Sequence, residues 1–321
     1  AHAYLLSSFL SDITNKRTDR YGGSVHKRVQ IIREIMDQSR ARVGDFPIFI
    51  KVNSNDARSP HEVMDEGITP ESFPELALEL EKAGVDAIDV SGNGCMYGKI
   101  EDVDDESYFL PYAERLTELE IPVIVGGCAS YQAALHLMRT GAAGVLVGVG
   151  PGHACTTRGV LGLGVPQATA IADARAARMR HLDETGVYVH VVADGGMATG
   201  GDVAKAIVCG ADAVMIGSPL AAAHEAPGRG YHWGMATFHP TLPRGARVAT
   251  EQRGTLEEIL VGPAHQNDGR LNLFGGLRTS MATCGYETVK EFQKAELMVA
   301  PALQTEGKGL QKSQGVGMGH S

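Results

Sequence analysis

Cys155 lies in GPGHACTTR, a glycine-rich stretch that follows an apolar run. A thiolate is the attacking species in cysteine chemistry, and the free N–H groups of such a loop help to stabilise it. A free cysteine is more commonly a small buried hydrophobe. Here the flanking glycines and Thr156-Thr157-Arg158 favour catalysis, with Thr157 counted beside Cys155 as a catalytic candidate. Further along, Asp194-Gly195-Gly196 ends one apolar run and Gly217-Ser218 ends the next. Consecutive loops of this make-up turn N–H groups and a helix N-terminus toward a phosphate. Glycines of this kind also make plain tight turns; their pairing on consecutive runs is what points to an anion.

These loops need elements to hold them. Six β-rich apolar runs punctuate the chain: PIFIKVN from Pro47, DAIDVSG from Asp86, IPVIVGG from Ile121, GVLVGVG from Gly144, YVHVVADGG from Tyr188 and DAVMIGS from Asp212. They are continuous rather than alternating, as in parallel strands buried on both faces. Helical patterns separate them, around residues 24–42, 70–83, 107–118, 131–139, 166–181 and 202–209. Strand–helix alternation means an α/β barrel or a doubly wound sheet. An internal echo selects the barrel. AGVDAIDVSG, TGAAGVLVGV and CGADAVMIGS each place a glycine (Gly84, Gly141 or Gly210) between a helix and a buried strand, where a left-handed cap is expected. The expected fold is therefore a (β/α)8 TIM-type barrel whose strand-end loops line the active face. The chain begins at Ala1 rather than methionine, and its first residues read as the loop after another strand, so the barrel is expected to lack its first strand or two. Residues 1–301 are expected to form a single barrel, and 302–321, polar and glycine-rich, a mobile tail.

The chain has 321 residues, 43% apolar and 21% charged, which excludes general disorder. A net charge of −9 without an extended basic run makes a nucleic-acid backbone a poor partner. No apolar run approaches the roughly 20 residues of a membrane helix, and no signal peptide is evident. Five cysteines (Cys95, Cys128, Cys155, Cys209 and Cys284) without a CxxC pair argue against a disulfide framework or zinc site and for a reducing cytoplasm. The acidic run Asp102, Asp104, Asp105 and Glu106 reads as a solvated loop rather than a metal site, since no ligand-spaced His or Asn accompanies it.

Two family resemblances meet in this chain. Residues to about 119 resemble the Old Yellow Enzyme family of FMN-dependent NAD(P)H:flavin oxidoreductases, through AHAYLLSSFLSDITNKRTDRYGGSVHKR, PIFIKVN, AGVDAIDVSG and ESYFLPYAERL. Residues from about 121 to 301 resemble the IMP dehydrogenase/GMP reductase family, and within it the IMP-dehydrogenase-related proteins. The matching text is GVGPGHACTTRGVLGLGVPQATAIADA, ADGGMATGGDVAKAIVCGADAVMIGSPLA, EAPGRGYHWGM and GGLRTSMATCGY. Both families are (β/α)8 barrels, so the chain reads as a hybrid of a 1–119 part and a 120–301 part.

The second resemblance implies an oxidoreductase acting on a purine 5′-monophosphate. Cys155 would attack C2 of the purine ring, hydride would pass to or from NAD(P), and water would hydrolyse the covalent adduct. The phosphate and ribose would be held by Asp194, Gly195, Gly196, Gly217, Ser218, His153 (where the family usually has serine) and Tyr231, which lies one residue off the usual spacing. Backbone carbonyls of Gly150, Gly152 and Cys155 would bind potassium. The family's Arg-Tyr flap pair is not recognisable. The first resemblance implies the alternative, an FMN-dependent ene-reductase: His2 would bind substrate, Tyr4 would donate the proton, Lys51 would stabilise the reduced flavin, and the glycine loops would take the FMN phosphate. A third alternative is a catalytically inert nucleotide-binding barrel. Open strand edges make a homo-oligomer the expected state.

Overall fold

A computed structural model describes residues 5–57, 64–91, 116, 121–234 and 247–299. Its elements, in chain order, begin with α1 (Leu5–Leu10), α2 (Val25–Arg28), α3 (Gln30–Val43), β1 (Phe49–Asn53), α4 (Phe73–Lys82) and β2 (Ala87–Ser91). There follow β3 (Val123–Cys128), α5 (Tyr131–Arg139), β4 (Gly144–Val147), α6 (Thr157–Leu161), α7 (Gln167–Thr185), β5 (His190–Asp194), α8 (Gly200–Cys209) and β6 (Ala213–Met215). The last part holds α9 (Ser218–Ala221), β7 (Tyr231–Trp233), β8 (Arg247–Ala249), α10 (Leu256–Leu260), α11 (Leu273–Thr283) and α12 (Val289–Phe292).

All six expected strands are present, and β1 to β6 form one parallel sheet in sequential order. Curled with helices on its outer face, this sheet is a half-barrel of the (β/α)8 type, with six strands among the described residues against the eight that closure requires. β2 pairs with β3 through Ile88↔Val123, Asp89↔Ile124 and Val90↔Val125, so the sheet is continuous across the expected join.

Register explains why the sheet holds. Val52, Val90, Val125, Val145 and Val191 stand side by side across five strands, each no more than 1% exposed. β-Branched side chains pack well on a pleated surface, and this row meets the apolar faces of α4, α5 and α7 through residues such as Phe73, Leu80, Leu137 and Ile171. One step along, Lys51, Asp89, Ile124, Gly144 and His190 form the adjacent row and project to the concave face, because successive residues of a strand point to opposite sides. Three of these five are polar, and the His190 side chain is 64% exposed.

Gly84, Gly141 and Gly210, with φ of 86°, 89° and 122°, end the helices before β2, β4 and β6 in the left-handed region that the internal echo predicted. The helical pattern over 24–42 is two helices, broken at Val29, and the one starting near 166 runs on to Thr185. In the NKRTDRYGG segment, buried Asn15 donates from Nδ2 to the carbonyls of Phe9 and Tyr21, and buried Arg28 donates to those of Leu10 and Gly23. This motif fixes the entry to α3. The expected helix at 107–118, apart from Leu116, and the tail 302–321 lie outside the described residues. Among the described residues no helix is long and apolar enough to cross a membrane.

Candidate active site

The loop after β4 carries Cys155, which is exposed. Its N–H donates to the Gly152 carbonyl at 3.0 Å, closing a turn, and Thr156 then stands at the N-cap position of α6 without a side-chain capping bond. Thr157, the other catalytic candidate, is the first residue of α6. Gly148 sits where a Cβ would lie 2.4 Å from the Asp194 carbonyl oxygen, so only glycine fits this crossing between β4 and β5. Beneath the loop, Gln167 Nε2 donates to the carbonyls of Val147 (2.6 Å) and Asp194 (3.3 Å), tying the two strand ends together.

The structure brings the predicted loops together. Gly195 and Gly196 have φ of 84° and 81°, and Cβ atoms there would approach Pro151 to within 3.2–3.3 Å. The Asp-Gly-Gly loop thus packs directly against the Cys155 loop. Its exit is held by a capping box: Thr199 Oγ1 accepts the Asp202 N–H, and Asp202 Oδ2 accepts the N–H groups of Ala198 and Thr199. The Asp194 carboxylate makes no hydrogen bond or ion pair among the described residues, and burial pushes its pKa up, with Lys51 opposing. It is a half-buried acceptor with its capacity unspent.

Gly217 and Ser218 open α9 after β6. Ser218 Oγ lies 3.1 Å from His232 Nε2, and Thr250 Oγ1 bonds the other ring nitrogen. The His153 ring lies 5.5 Å from that of His232. Burial, and then the proximity of His153, lower the His232 pKa. His153, Ala198, Ser218, Thr250, Arg253 and Arg270 are among the residues around a cavity of about 250 Å³. The β7–β8 hairpin reaches it, and Gly234 packs so closely on Ala154 that a Cβ would lie 3.0 Å from the Ala154 carbonyl oxygen.

Tyr231 is not at this cavity. It borders a neighbouring groove, as His232 also does, and lies under the Arg247 guanidinium at 3.9 Å from the ring centroid, while the hairpin side chain bonded to Ser218 is His232. The one-residue offset in spacing accounts for this, since a shift of one along a strand reverses the face. His232, Thr250, Gln167, Arg253 and Arg270 were not singled out from the sequence. Alternation within YHW was the signal available for His232; the others come from segments with no motif of their own.

On the concave face, Lys51 Nζ is 2.6 Å from Asp89 Oδ2. Burial raises the Asp89 pKa, Lys51 opposes this, and Asp89 Oδ1 is buried without a partner. An ammonium committed to a carboxylate is a poor counter-charge for a reduced flavin ring. His2 and Tyr4 lie outside the described residues. For potassium, Gly152 O keeps a second lone pair beyond its turn. Two buried oxygens without partners, Thr156 Oγ1 and Gln167 Oε1, border the same loop. Such oxygen-rich surroundings fit a monovalent cation, to which Gly150, Gly152 and Cys155 would present carbonyls.

A model of the IMP dehydrogenase / GMP reductase domain matches residues 73–309, and a model of the NADH:flavin oxidoreductase / NADH oxidase family matches residues 1–102. The two overlap over α4 and β2. An uncharacterized oxidoreductase of Mycolicibacterium smegmatis is 50% identical over 236 residues, 72% of this chain and 62% of that protein. An inosine-5′-monophosphate dehydrogenase of Methanocaldococcus jannaschii is 34% identical over 274 residues, 74% of this chain and 51% of that protein. The chain thus spans less than two thirds of the length of these relatives. The crystal structure of an IMP dehydrogenase/GMP reductase-like protein from Corynebacterium glutamicum aligns with a TM-score of 0.64 at 38% identity, covering 93% of this chain and 76% of that one.

Proposed function

This chain belongs to the IMP dehydrogenase/GMP reductase family, with a flavin-oxidoreductase segment at its front, and on that premise we propose that it binds a purine 5′-monophosphate and performs oxidoreductase chemistry at Cys155. The observation that carries the reading is the packing of the Asp194-Gly195-Gly196 loop on Pro151-Gly152, which puts a free carboxylate and the nucleophile's loop side by side. Asp194 accepts the ribose hydroxyls. The phosphate lies toward Gly196, Gly217 and Ser218, with His153 at its edge. The exposed Cys155 sulfur adds to purine C2, and water later cleaves that bond to free the thiol. When bound, NAD(P) would take up or deliver the hydride at C2. Gly150, Gly152 and Cys155 would hold potassium through their carbonyls, keeping the loop in shape.

We place this barrel, residues 1–301, as one unit acting on a small nucleotide, in the cytoplasm and as a homo-oligomer. The FMN reading is second: the front family match supports it, and the Lys51–Asp89 pair weighs against it. Thermal unfolding with saturating IMP, GMP or FMN tests the choice, since a ligand of the native state alone raises its stability. Stabilisation by IMP or GMP and not by FMN is expected. A yellow protein with flavin absorbance and no response to purine nucleotides would reverse it.

A further inference from the structure

α7 starts behind Pro166, whose side chain has nothing to cap a helix with, and Gln167 is its first residue. Helical side chains lean toward the helix N-terminus, so the Gln167 amide reaches off the end of α7 toward the ends of the strands. There Nε2 donates to the carbonyl of Val147, the last residue of β4, at 2.6 Å, and to that of Asp194, the last residue of β5, at 3.3 Å. Both partners are acceptors, so the NH2 group and not the oxygen faces them, and both of its protons are spent.

These two carbonyls are the roots of the two loops of the site. The crossing between them is tight: a Cβ on Gly148 would lie 2.4 Å from the Asp194 oxygen and 2.8 Å from Gln167 Nε2. Each loop also has a brace of its own. Arg158 donates from Nε to the Val149 carbonyl (3.1 Å) and from Nη2 to that of Val165 (2.6 Å), closing the Cys155 loop on itself. The Thr199–Asp202 capping box closes the other. Those braces shape each loop separately, whereas Gln167 bonds to both. Its Oε1 is buried without a partner. An unmet buried acceptor costs stability, so an apolar side chain of the same length would serve packing alone better. The donor end is what this position uses.

We propose that Gln167 is a positioning residue that fixes the separation of the Cys155 and Asp194 loops, so that a nucleotide held by its sugar on one meets the other with its base. In this role it acts through the two backbones and touches no reacting atom. The ligand half of the proposal rests on the purine 5′-monophosphate reading; the mechanical half needs only the two loops. Without the donor, each loop keeps its own brace, but the two drift relative to each other. A ligand that uses one loop is then little affected, and a ligand that spans both is penalised. Misplacement by about 1 Å costs up to about a hundredfold where geometry decides the outcome.

Gln167→Met keeps the length of the side chain and removes the donor, while Gln167→Lys keeps a donor of similar reach. Calorimetric titration of the full chain with IMP and with ribose 5-phosphate, its sugar–phosphate half, gives a ratio of affinities that reads contact across the loops. Gln167→Met should lower IMP affinity by about tenfold and change ribose 5-phosphate by less than about twofold, and Gln167→Lys should recover most of the loss. Hydrogen exchange without ligand is the second readout. In Gln167→Met the amides of residues 149–156 and 195–199 should exchange faster together, with those of Val145 and Val191 unchanged. Thermal unfolding of each variant checks folding, and Gln167→Asn, one methylene short of both carbonyls, serves if Gln167→Met does not fold. Equal losses for the two ligands, or no loss for either, would make Gln167 a merely structural residue and leave the purine reading intact. Faster exchange in both loops, in a protein that binds neither IMP nor GMP, would uphold the clamp and overturn the purine reading. Unchanged exchange in either loop overturns the clamp, whatever binds.

Discussion

Four cysteines among the described residues differ in ways that predict their reactivity. Cys128 is buried, and desolvation pushes its thiol up to about 12; burial also raises Cys209. Cys155 and Cys284 are exposed, and of these only Cys155 lies on the loop beside Asp194. Mild alkylation with peptide mapping should therefore label Cys155 and Cys284 before the other two, and IMP should protect Cys155 alone. Labelling of Cys155 that no purine nucleotide slows would count against its place at the base. Asp194 offers a second test at this scale. Its two oxygens have no partner among the described residues, so Asp194→Ala should weaken IMP by roughly tenfold or more, as for the loss of charge-assisted hydrogen bonds, while inorganic phosphate binding changes little. Equal losses for both ligands would remove the ribose role. A strand's two-residue period separates Tyr231 from His232: the family spacing pointed to this part of the hairpin, and the face was decided by one residue.

Between elements, Asp212, which precedes β6, gathers four donors from three parts of the chain. Its carboxylate accepts from Arg178 of α7 (2.7 Å), Tyr188 before β5 (2.6 Å), the Val191 N–H (2.9 Å) and Gln293 after α12 (3.0 Å). Burial works against its charge, but these donors together hold its pKa below the ordinary value. Arg178 is 2% exposed, so Asp212→Ala would strand a buried guanidinium. The expected cost is about 3–5 kcal/mol, read from denaturant midpoints at neutral pH. A carboxylate with a depressed folded pKa adds stability above its unfolded pKa, near about 4, and loses it as pH falls through the folded value. The variant should accordingly show a shallower decline in stability on acidification; an unchanged acid slope would mean that other carboxylates set it. None of these partners was legible in the chain, because they lie 21 to 81 residues from Asp212 and belong to no local pattern. The six strands were legible, since each is a short continuous run of residues that suit a pleat buried on its helix side. The β7–β8 hairpin was not: its strands are three residues each and gain their order by packing on the Cys155 loop. The Lys51–Asp89 pair was hidden for the same reason as the Asp212 partners, being 38 residues apart and joined only by register.

At the scale of the whole molecule, the sheet has two ends. Among the described residues β1 pairs only with β2, and β6 only with β5, so each leaves one row of backbone N–H and C=O groups without a strand neighbour. A closed barrel has no such rows, and an open edge is a template for pairing with another chain. Sequence features that blunt an edge are weak here. Neither strand contains proline, and Lys51, the charge on β1, is engaged with Asp89 across the paired side. Apolar side chains accompany the edges, with Phe49 59% and Met215 43% exposed. The chain is therefore expected to self-associate through β1 and β6, in a concentration-dependent way visible by sedimentation or size exclusion. Hydrogen exchange should show the outward amides of both strands protected far less than those of β3 and β4 at low concentration, and gaining protection as concentration rises. Phe49→Lys and Met215→Lys should suppress the association with little loss of thermal stability, because both side chains are already solvent-facing and lysine discourages edge pairing. A chain that stays monomeric at all concentrations, with β1 and β6 amides as protected as those of β4, would mean that residues outside the described set already cover both edges.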